Sequence, residues 1–508
     1  MTTDAGIVRR LDEFVADFLP GKQEHNSEWS KTRVSGLVVD SRKVRAGDCF
    51  IAYPGHVSDG RRFIAAAVEQ GASAVLAEAE GLQLPQGVKV PVVSVFGLQQ
   101  QLGAIASKFY GNPSQHLQLV AVTGTNGKTT VTQLMAQALQ NLQITSGVMG
   151  TLGNGLTGQL APTQNTTPDI IDINRLLHEM QKQNARVVAM EASSHGLVQG
   201  RLDGLTLHTG IITNLSRDHL DYHGSMEAYR NAKALLARNL SLKYLILNAD
   251  DAQVMGMAGH AQPGVTLMTF SLNEASGATL IARDLQFHAR GMRMKVQMGA
   301  AVAELESALV GEFNASNLLA ALAGLLALDV ALPEACKALG QVQPVPGRVE
   351  MVNPQKSAQE PAVVVDFAHT PDALEKVIFS LRRHCGGKLW CVFGCGGDRD
   401  AGKRPLMGAV VARDADEMIV TADNPRSEKL RNIIGHIVKG IPPQCAYNII
   451  EDRTQAVEFA VLNAASDDLI LLAGKGHEDY QDVQGVKHPY SDLVAARQAL
   501  QKRSQVKS

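Results

Sequence analysis

The chain has little of what marks several large functional classes. Its six cysteines, Cys49, Cys336, Cys385, Cys391, Cys395 and Cys445, are scattered through 508 residues with no C-x-x-C pair. Such spacing offers neither a disulfide framework nor a zinc site and is that of reduced thiols. There is no excess of positive charge: the formal net charge is −2 and aromatic residues make up 5%. That balance gives no support to a nucleic-acid surface, which needs a basic stripe. No apolar run approaches the ~20 residues that span a bilayer. Residues 1–18 carry charges throughout and have no apolar core of a secretory signal. The expectation is a cytoplasmic protein with no membrane insertion. The guanine-reading Asn-Lys-x-Asp of a GTPase is also missing.

What is present reads as an α/β protein, 45% hydrophobic and 19% charged with 46 glycines, and long enough for about three domains. The chain is organised around residues 119–130, Leu-Val-Ala-Val-Thr-Gly-Thr-Asn-Gly-Lys-Thr-Thr. Residues 119–122 predict a buried strand, followed by a turn at Gly124 and Gly127. Val131, Leu134, Met135, Ala138, Leu139 and Leu142 then share one face of a helix over 128–142. A glycine turn between strand and helix aims backbone N–H groups and the positive end of the helix dipole at an anion. Lys128 then reaches terminal phosphates, and Thr129 offers its hydroxyl to Mg2+. Only two residues separate the glycines, against four in the general phosphate loop.

Before this stretch, strands are predicted at 34–39, 49–53, 74–77 and 90–95, with helices at 61–70 and 98–110. Gly111-Asn112-Pro113-Ser114 breaks the pattern. After it, residues 153–158 match G-x-G-x-x-G but lack a following helix, so they read as a flexible loop. The polar run 164–168 reads as a helix cap or as ligand-binding groups. A strand over 186–190 ends in Glu191, a carboxylate placed for a Mg2+-directed role. Another, over 209–213, runs into Asp218, His219, Asp221 and His223, a polar cluster suited to a metal or a charged substrate. Residues 311–317 lead into a Leu/Ala-rich helix, and Pro344 to Arg348 breaks the chain again. Domains are therefore expected at 1–112, 113–345 and 346–508. In the last, strands at 362–365, 389–393, 418–421, 447–450 and 469–472 predict a doubly wound sheet. Its polar strand-end loops, at 366–371, 394–400, 423–426 and 474–479, would all open on one edge.

Taken in order, Gly-Thr-Asn-Gly-Lys-Thr-Thr at 124–130, Asn-x-x-x-Asp-His at 214–219, Asn-x-x-Asn at 314–317 and Asp-Phe-Ala-His-Thr-Pro at 366–371 resemble the motifs of the Mur ligases of peptidoglycan synthesis. The resemblance runs nearly end to end, and the short glycine spacing is that family's own form. It implies an N-terminal UDP-substrate α/β domain, a central P-loop ATPase-like domain and a C-terminal Rossmann-like domain. It also implies ATP-dependent ligation of an amine to a UDP-N-acetylmuramoyl-peptide, here UDP-MurNAc-L-Ala-D-Glu, through an acyl phosphate, by a monomer.

Carried over by position, Gly124, Thr125, Asn126, Gly127, Lys128, Thr129, Thr130, Asn317, Arg348 and Asp366 would bind ATP. Lys128, Glu191, His219 and Lys233 would serve catalysis, with Thr129, Glu191, His219 and a carbamate on Lys233 holding Mg2+. By its own sequence context Lys233 reads as a solvated helical lysine. Val39, Ser41, His56, Val57, Ser58, Asn165, Thr166, Thr167, Ser193, Gln199 and Arg201 match positions for the UDP-sugar and its peptide. Asp-Asn-Pro-Arg at 423–426 is the family's form for meso-diaminopimelate. Arg399 and Arg426 would take its distal carboxylate, with Asp423, Asn424, Pro425, Gly474 and Glu478 around the rest. A lysine-adding ligase or a folylpolyglutamate synthase is the nearest rival. Phe367 stands where tyrosine is common in the family.

Overall fold

Short apolar runs alternating with helices between residues 33 and 95 build a four-stranded parallel sheet, in the order Gly36–Val38, Asp48–Ala52, Ala74–Glu78, Val92–Val95. The structure is a computed structural model that describes residues 7–19, 28–55, 58–163, 165–288, 291–353, 357 and 359–507. Phe50, Ala52, Val75 and Ala77 recur at period two and bury one face of this sheet against Ile64 and Ala67. The strand expected at 34–39 is divided. Ser35 donates its N–H to Gly47 O, and Arg33–Val34 pairs instead with Arg9–Arg10. The helix expected at 61–70 opens as a tight turn, Gly60–Phe63, where the Asp59 side chain accepts from Arg61 N.

Contacts divide the chain into two units, residues 1–120, 145–208 and 240–242 in one and 121–144, 209–239 and 243–508 in the other. In the first unit, Val187–Glu191 runs parallel to Ser146–Gly150, which turns back antiparallel into Gly153–Leu156. The flexible loop expected at 153–158 is thus mostly a strand. Its glycines serve close packing: Gly155 has φ +146°, and a Cβ there would stand 2.6 Å from Gln159 O. The polar run 164–168 does not cap the next helix, Ile170–Lys182; Asp169 does, accepting from the N–H groups of Ile171 and Asp172.

In the second unit the strands Thr209–Ile212, Tyr244–Asn248, Thr266–Ser271 and Leu280–His288 run parallel, and Leu280–His288, Gly291–Met298 and Ala301–Ser307 form an antiparallel meander. The helix Glu312–Leu326 packs on Lys128–Asn141, where Gly324 leaves room for Met135. It begins at Glu312, so Asn314 and Asn317 ride on its first turns and do not precede it.

The last 160 or so residues form the expected doubly wound sheet, ordered Glu350–Met351, Ala362–Asp366, Leu469–Ala473, Leu389–Phe393, Glu417–Val420, Asn448–Ile449. All pairs are parallel except the first. Leu389, Cys391 and Phe393 face one apolar cluster, while Trp390 and Val392 face the other. Burial on both faces explains why these strands read as unbroken apolar runs. Parallel pairing brings Asp366, Gly394, Thr421 and Gly474 to one edge of the sheet. No helix among the described residues is long and apolar enough to cross a membrane.

Candidate active site

The strand Gln118–Thr123 is buried from Leu119 onward and ends in the glycine turn. Added Cβ atoms would lie 1.9 Å from Thr213 Oγ1 at Gly124 and 2.5 Å from Asn317 Oδ1 at Gly127. Both positions therefore require glycine. Asn126 N donates to Asn214 Oδ1 at 2.9 Å, and Asn126 O accepts from Thr213 Oγ1 at 2.6 Å. Thr125 Oγ1 accepts from Ser216 N at 2.9 Å and lies 3.2 Å from Tyr229 OH. The segment 213–216 thus scaffolds the loop, a role its sequence did not announce. Lys128 Nζ donates to Gly124 O at 2.8 Å and Thr125 O at 2.9 Å, which folds the cation over the turn.

A cavity of about 710 Å3 opens beside this turn, within the range of small-molecule sites. Asn126, Gly127 and Thr130 line it with Asn317, Arg348 and Asp366. Arg348 Nη2 donates to Thr129 Oγ1 at 3.3 Å, and its guanidinium lies 4.3 Å over the Phe367 ring. Phenylalanine therefore keeps the stacking face that a tyrosine would offer. Asp366 accepts from Val349 N at 2.8 Å and Ala368 N at 2.7 Å. Burial raises the pKa of this carboxyl, and the charge of Arg348 opposes the rise.

Asp218 lies 3.5 Å from Lys403 Nζ, 3.4 Å from His219 Nε2 and 3.8 Å from His369 Nε2. Burial disfavours its charge, but Lys403, His369 and His219 outweigh that and hold the carboxyl well below the usual range. Burial, aided by Lys403, pushes His369 down to about 4, and the nearby Asp218 carboxylate opposes the fall. Of the polar cluster expected at 218–223, only Asp218 and His219 join this group; Asp221 is exposed, and the His223 ring centroid lies 5.1 Å from that of Tyr229. Among the described residues no three His, Cys, Asp or Glu side chains are grouped to hold a metal ion.

Lys233 is not solvated: it is 1% exposed on the helix Met226–Ala237. Burial first, and then the charge of Lys128, lower its pKa well below the lysine range. Tyr229, Ala232, Leu236 and Ala237 form the buried face of that helix, and Lys233 falls on it. That three-four spacing was the available signal.

In the last sheet, Asp423, Asn424 and Pro425 follow Glu417–Val420, and Arg426 takes φ +51°. Arg426 N donates to Asp482 O at 2.9 Å, and its Nη1 donates to Gly397 O at 2.7 Å. Asn424 Nδ2 donates to Glu478 Oε2 at 2.8 Å. Arg399 is exposed and donates at 3.3 Å to Asp398 O. Under these loops the buried Arg453 pairs with Asp492 at 2.8 Å and donates to Ala422 O and Ala473 O, which ties two strand ends together.

In the first unit, Thr167 Oγ1 lies 2.8 Å from Glu191 O and accepts from Ser193 N at 3.0 Å, and Gly196 N donates to Ser193 Oγ. Arg201 donates to Gln199 Oε1 at 3.0 Å and to Thr167 O. Glu191 is 1% exposed; its carboxylate accepts from Thr151 N at 2.7 Å and Thr151 Oγ1 at 3.2 Å. Thr166 Oγ1 lies 3.2 Å from Thr151 Oγ1, and Asn165 is exposed. Val39 follows the strand Gly36–Val38, Ser41 starts a turn capped by Asp40, and Ser58 is exposed. His56 and Val57 lie outside the described residues.

Three segments match the Mur ligase family: residues 33–110 its catalytic domain, 122–325 its middle domain and 347–476 its glutamate ligase domain. The UDP-N-acetylmuramoyl-L-alanyl-D-glutamate–2,6-diaminopimelate ligase of Pseudomonas aeruginosa is 48% identical over 465 residues, 91% of this chain and 94% of that protein. Its namesake in Pseudomonas syringae pv. tomato is 49% identical over 464 residues, with the same coverage. A solved structure of a ligase of that name superposes with TM-score 0.69 at 36% identity, covering 98% of this chain and 99% of the other.

Proposed function

The chain belongs to the Mur ligase family, with its three-domain α/β architecture, and from that premise we propose that it joins 2,6-diaminopimelate to UDP-N-acetylmuramoyl-L-alanyl-D-glutamate at the expense of ATP. The observation that carries the reading is the pairing of two sites within one unit: a lysine-bearing phosphate turn beside a nucleotide-sized cavity, and a loop that presents Asp423, Asn424 and Arg426 at the sheet edge.

A carboxylate is a poor electrophile near neutral pH. Its oxygen attacks the γ-phosphorus of ATP, ADP leaves, and the acyl phosphate offers phosphate as a leaving group. The uncharged amine of the amino acid then attacks the carbonyl carbon, phosphate departs, and the nitrogen loses a proton. Lys128, held over the turn, meets the β- and γ-phosphates and stabilises charge as it moves to the leaving oxygen. Asn317, Arg348 and Asp366 line the place for the nucleoside and phosphates. Thr166, Thr167, Ser193, Gln199 and Arg201 are assigned to the UDP-linked peptide.

The family's pattern assigns Mg2+ to Thr129, a hydroxyl at the first helical turn, to His219, an imidazole, and to Glu191, a buried carboxylate of the other unit. Lys233 is a buried amine of lowered basicity, the form that adds carbon dioxide as a carbamate and so turns a cation into an anionic oxygen ligand. Bound Mg2+ would supply positive charge against the phosphate oxygens.

The test measures ADP release and amide formation with the UDP-dipeptide, MgATP and either diaminopimelate or lysine. Diaminopimelate is expected to drive turnover. Equal turnover with lysine would overturn the choice of amino acid, and no amide from any muramyl peptide would overturn the reading as a whole.

A further inference from the structure

Lys475 was not singled out in the sequence, yet it lies inside the loop cluster assigned to the amino acid and is fully buried. Gly474 at φ +113° and Gly476 at φ +53° flank it, and this pair of left-handed residues turns its side chain inward. A Cβ on Gly476 would stand 2.7 Å from Phe367 Cβ and 2.8 Å from Gly347 O, so the chain has no room for another course. Lys475 Nζ donates to Asn424 Oδ1 and to Glu478 Oε2, both at 2.8 Å, and lies 3.5 Å from Asp423 Oδ1. This bond and a second one from Asp482 N at 2.9 Å fix the Asn424 amide, so that its Nδ2 points to Glu478. Asp423 Oδ1 is buried with no hydrogen-bond partner, an acceptor left for a donor that arrives with a ligand.

Around Asn424 the charges balance, with the exposed Arg399 outside the enclosed group: Asp423 and Glu478 bring two negatives, and Lys475 and Arg426 bring two positives. A neutral pocket of this kind matches a chain end that carries both an ammonium and a carboxylate. Without Lys475 the same pocket would carry a net negative charge and favour a bare ammonium. We propose that Lys475 is a positioning residue that sets amino-acid specificity, cancelling one pocket carboxylate and orienting Asn424 so that a zwitterionic end is preferred to a simple cationic one. This rests on the ligase reading above.

The experiment compares kcat/KM for diaminopimelate and for lysine in the full-length wild type, Lys475→Met and Lys475→Arg, with thermal melting as a control for folding. In Lys475→Met the ratio of the two values is expected to fall by roughly tenfold or more, through a higher KM for diaminopimelate and with the KM for ATP unchanged. Lys475→Arg keeps the charge and is expected to retain most of the ratio. An unchanged ratio in folded Lys475→Met overturns the inference. So does a uniform loss of kcat with every substrate, the mark of a merely structural lysine. Should Lys475→Met fail to fold, Lys475→Arg decides: a kept ratio supports the role of charge, and a lost one refutes it. A wild type that ligates no diaminopimelate overturns the ligase reading and this inference together, whereas a wild-type ratio in the variant overturns this inference alone.

Discussion

The turn proposed for phosphate and the loops proposed for the amino acid differ in construction. The turn is contiguous: strand, two glycines, lysine and helix occupy residues 118–141, and the cation and the helix terminus are fixed by local geometry. The loops are assembled. Asp423 to Arg426, Gly474 to Glu478 and Gly396 to Gly397 meet only because parallel strands deliver them to one edge, and the buried Arg453–Asp492 pair ties two of those strand ends. Phosphate is common to every reaction of this kind and can be held by backbone N–H groups. Selecting one amino acid needs charges in a particular pattern, and those come from distant parts of the chain.

Removing the local cation should have the largest effect. Lys128→Ala is expected to lower kcat/KM on the order of a thousandfold, since charge moving onto phosphate oxygens loses its fixed counter-charge. ADP release in a single-turnover assay measures it. Near-normal turnover would break the comparison, because the contiguous turn would then not carry the chemistry.

Lys233 sharpens the contrast from the other side, for it sits under the local motif yet belongs to a helix a hundred residues later. Lys233→Met should preserve the fold, because Tyr229, Ala232, Leu236 and Ala237 share its buried helix face, and should lower kcat on the order of a hundredfold. Wild-type protein supplied with isotopically labelled bicarbonate should give a carbamate carbon resonance that Lys233→Met lacks. Absence of that signal from the wild type would remove the carbamate from the proposed set of magnesium ligands.

What could be read from the chain follows the same division. The phosphate strand and its helix, and the parallel strands of the last sheet, were legible, because each carries its own periodicity and punctuation. The loops that share the sheet edge were legible too, since parallel pairing alone sets that edge. The meander from Leu280 to Ser307 went unread, although Met292, Met294 and Val296 alternate with Arg293, Lys295 and Gln297 as a half-solvated strand does. The hairpin Gly153–Leu156 was mistaken for a loop because its glycines serve close packing, which sequence cannot separate from flexibility. Lys233 and Lys475 were misjudged or missed because a lysine is ordinarily solvated; the helical spacing of Lys233 hinted at burial, whereas only tertiary structure encloses Lys475.

The smallest expected effect lies in the assembled site. Arg426 already occupies a left-handed backbone conformation, and alanine there keeps the Cβ, so Arg426→Ala adds little conformational cost. Its backbone remains tied through Asp482 O and Gln484 N. What is lost is the guanidinium seated against Gly397 O, the group proposed to receive the distal carboxylate of the amino acid. The KM for diaminopimelate should therefore rise roughly tenfold to thirtyfold while that for lysine, which has no such carboxylate, changes little. Calorimetric titration should find nucleotide affinity intact, because none of Arg426's contacts reaches the phosphate turn. A loss of nucleotide binding in this variant would mean that the two regions are one energetic unit, and that the division between a local chemical site and an assembled selective one is false.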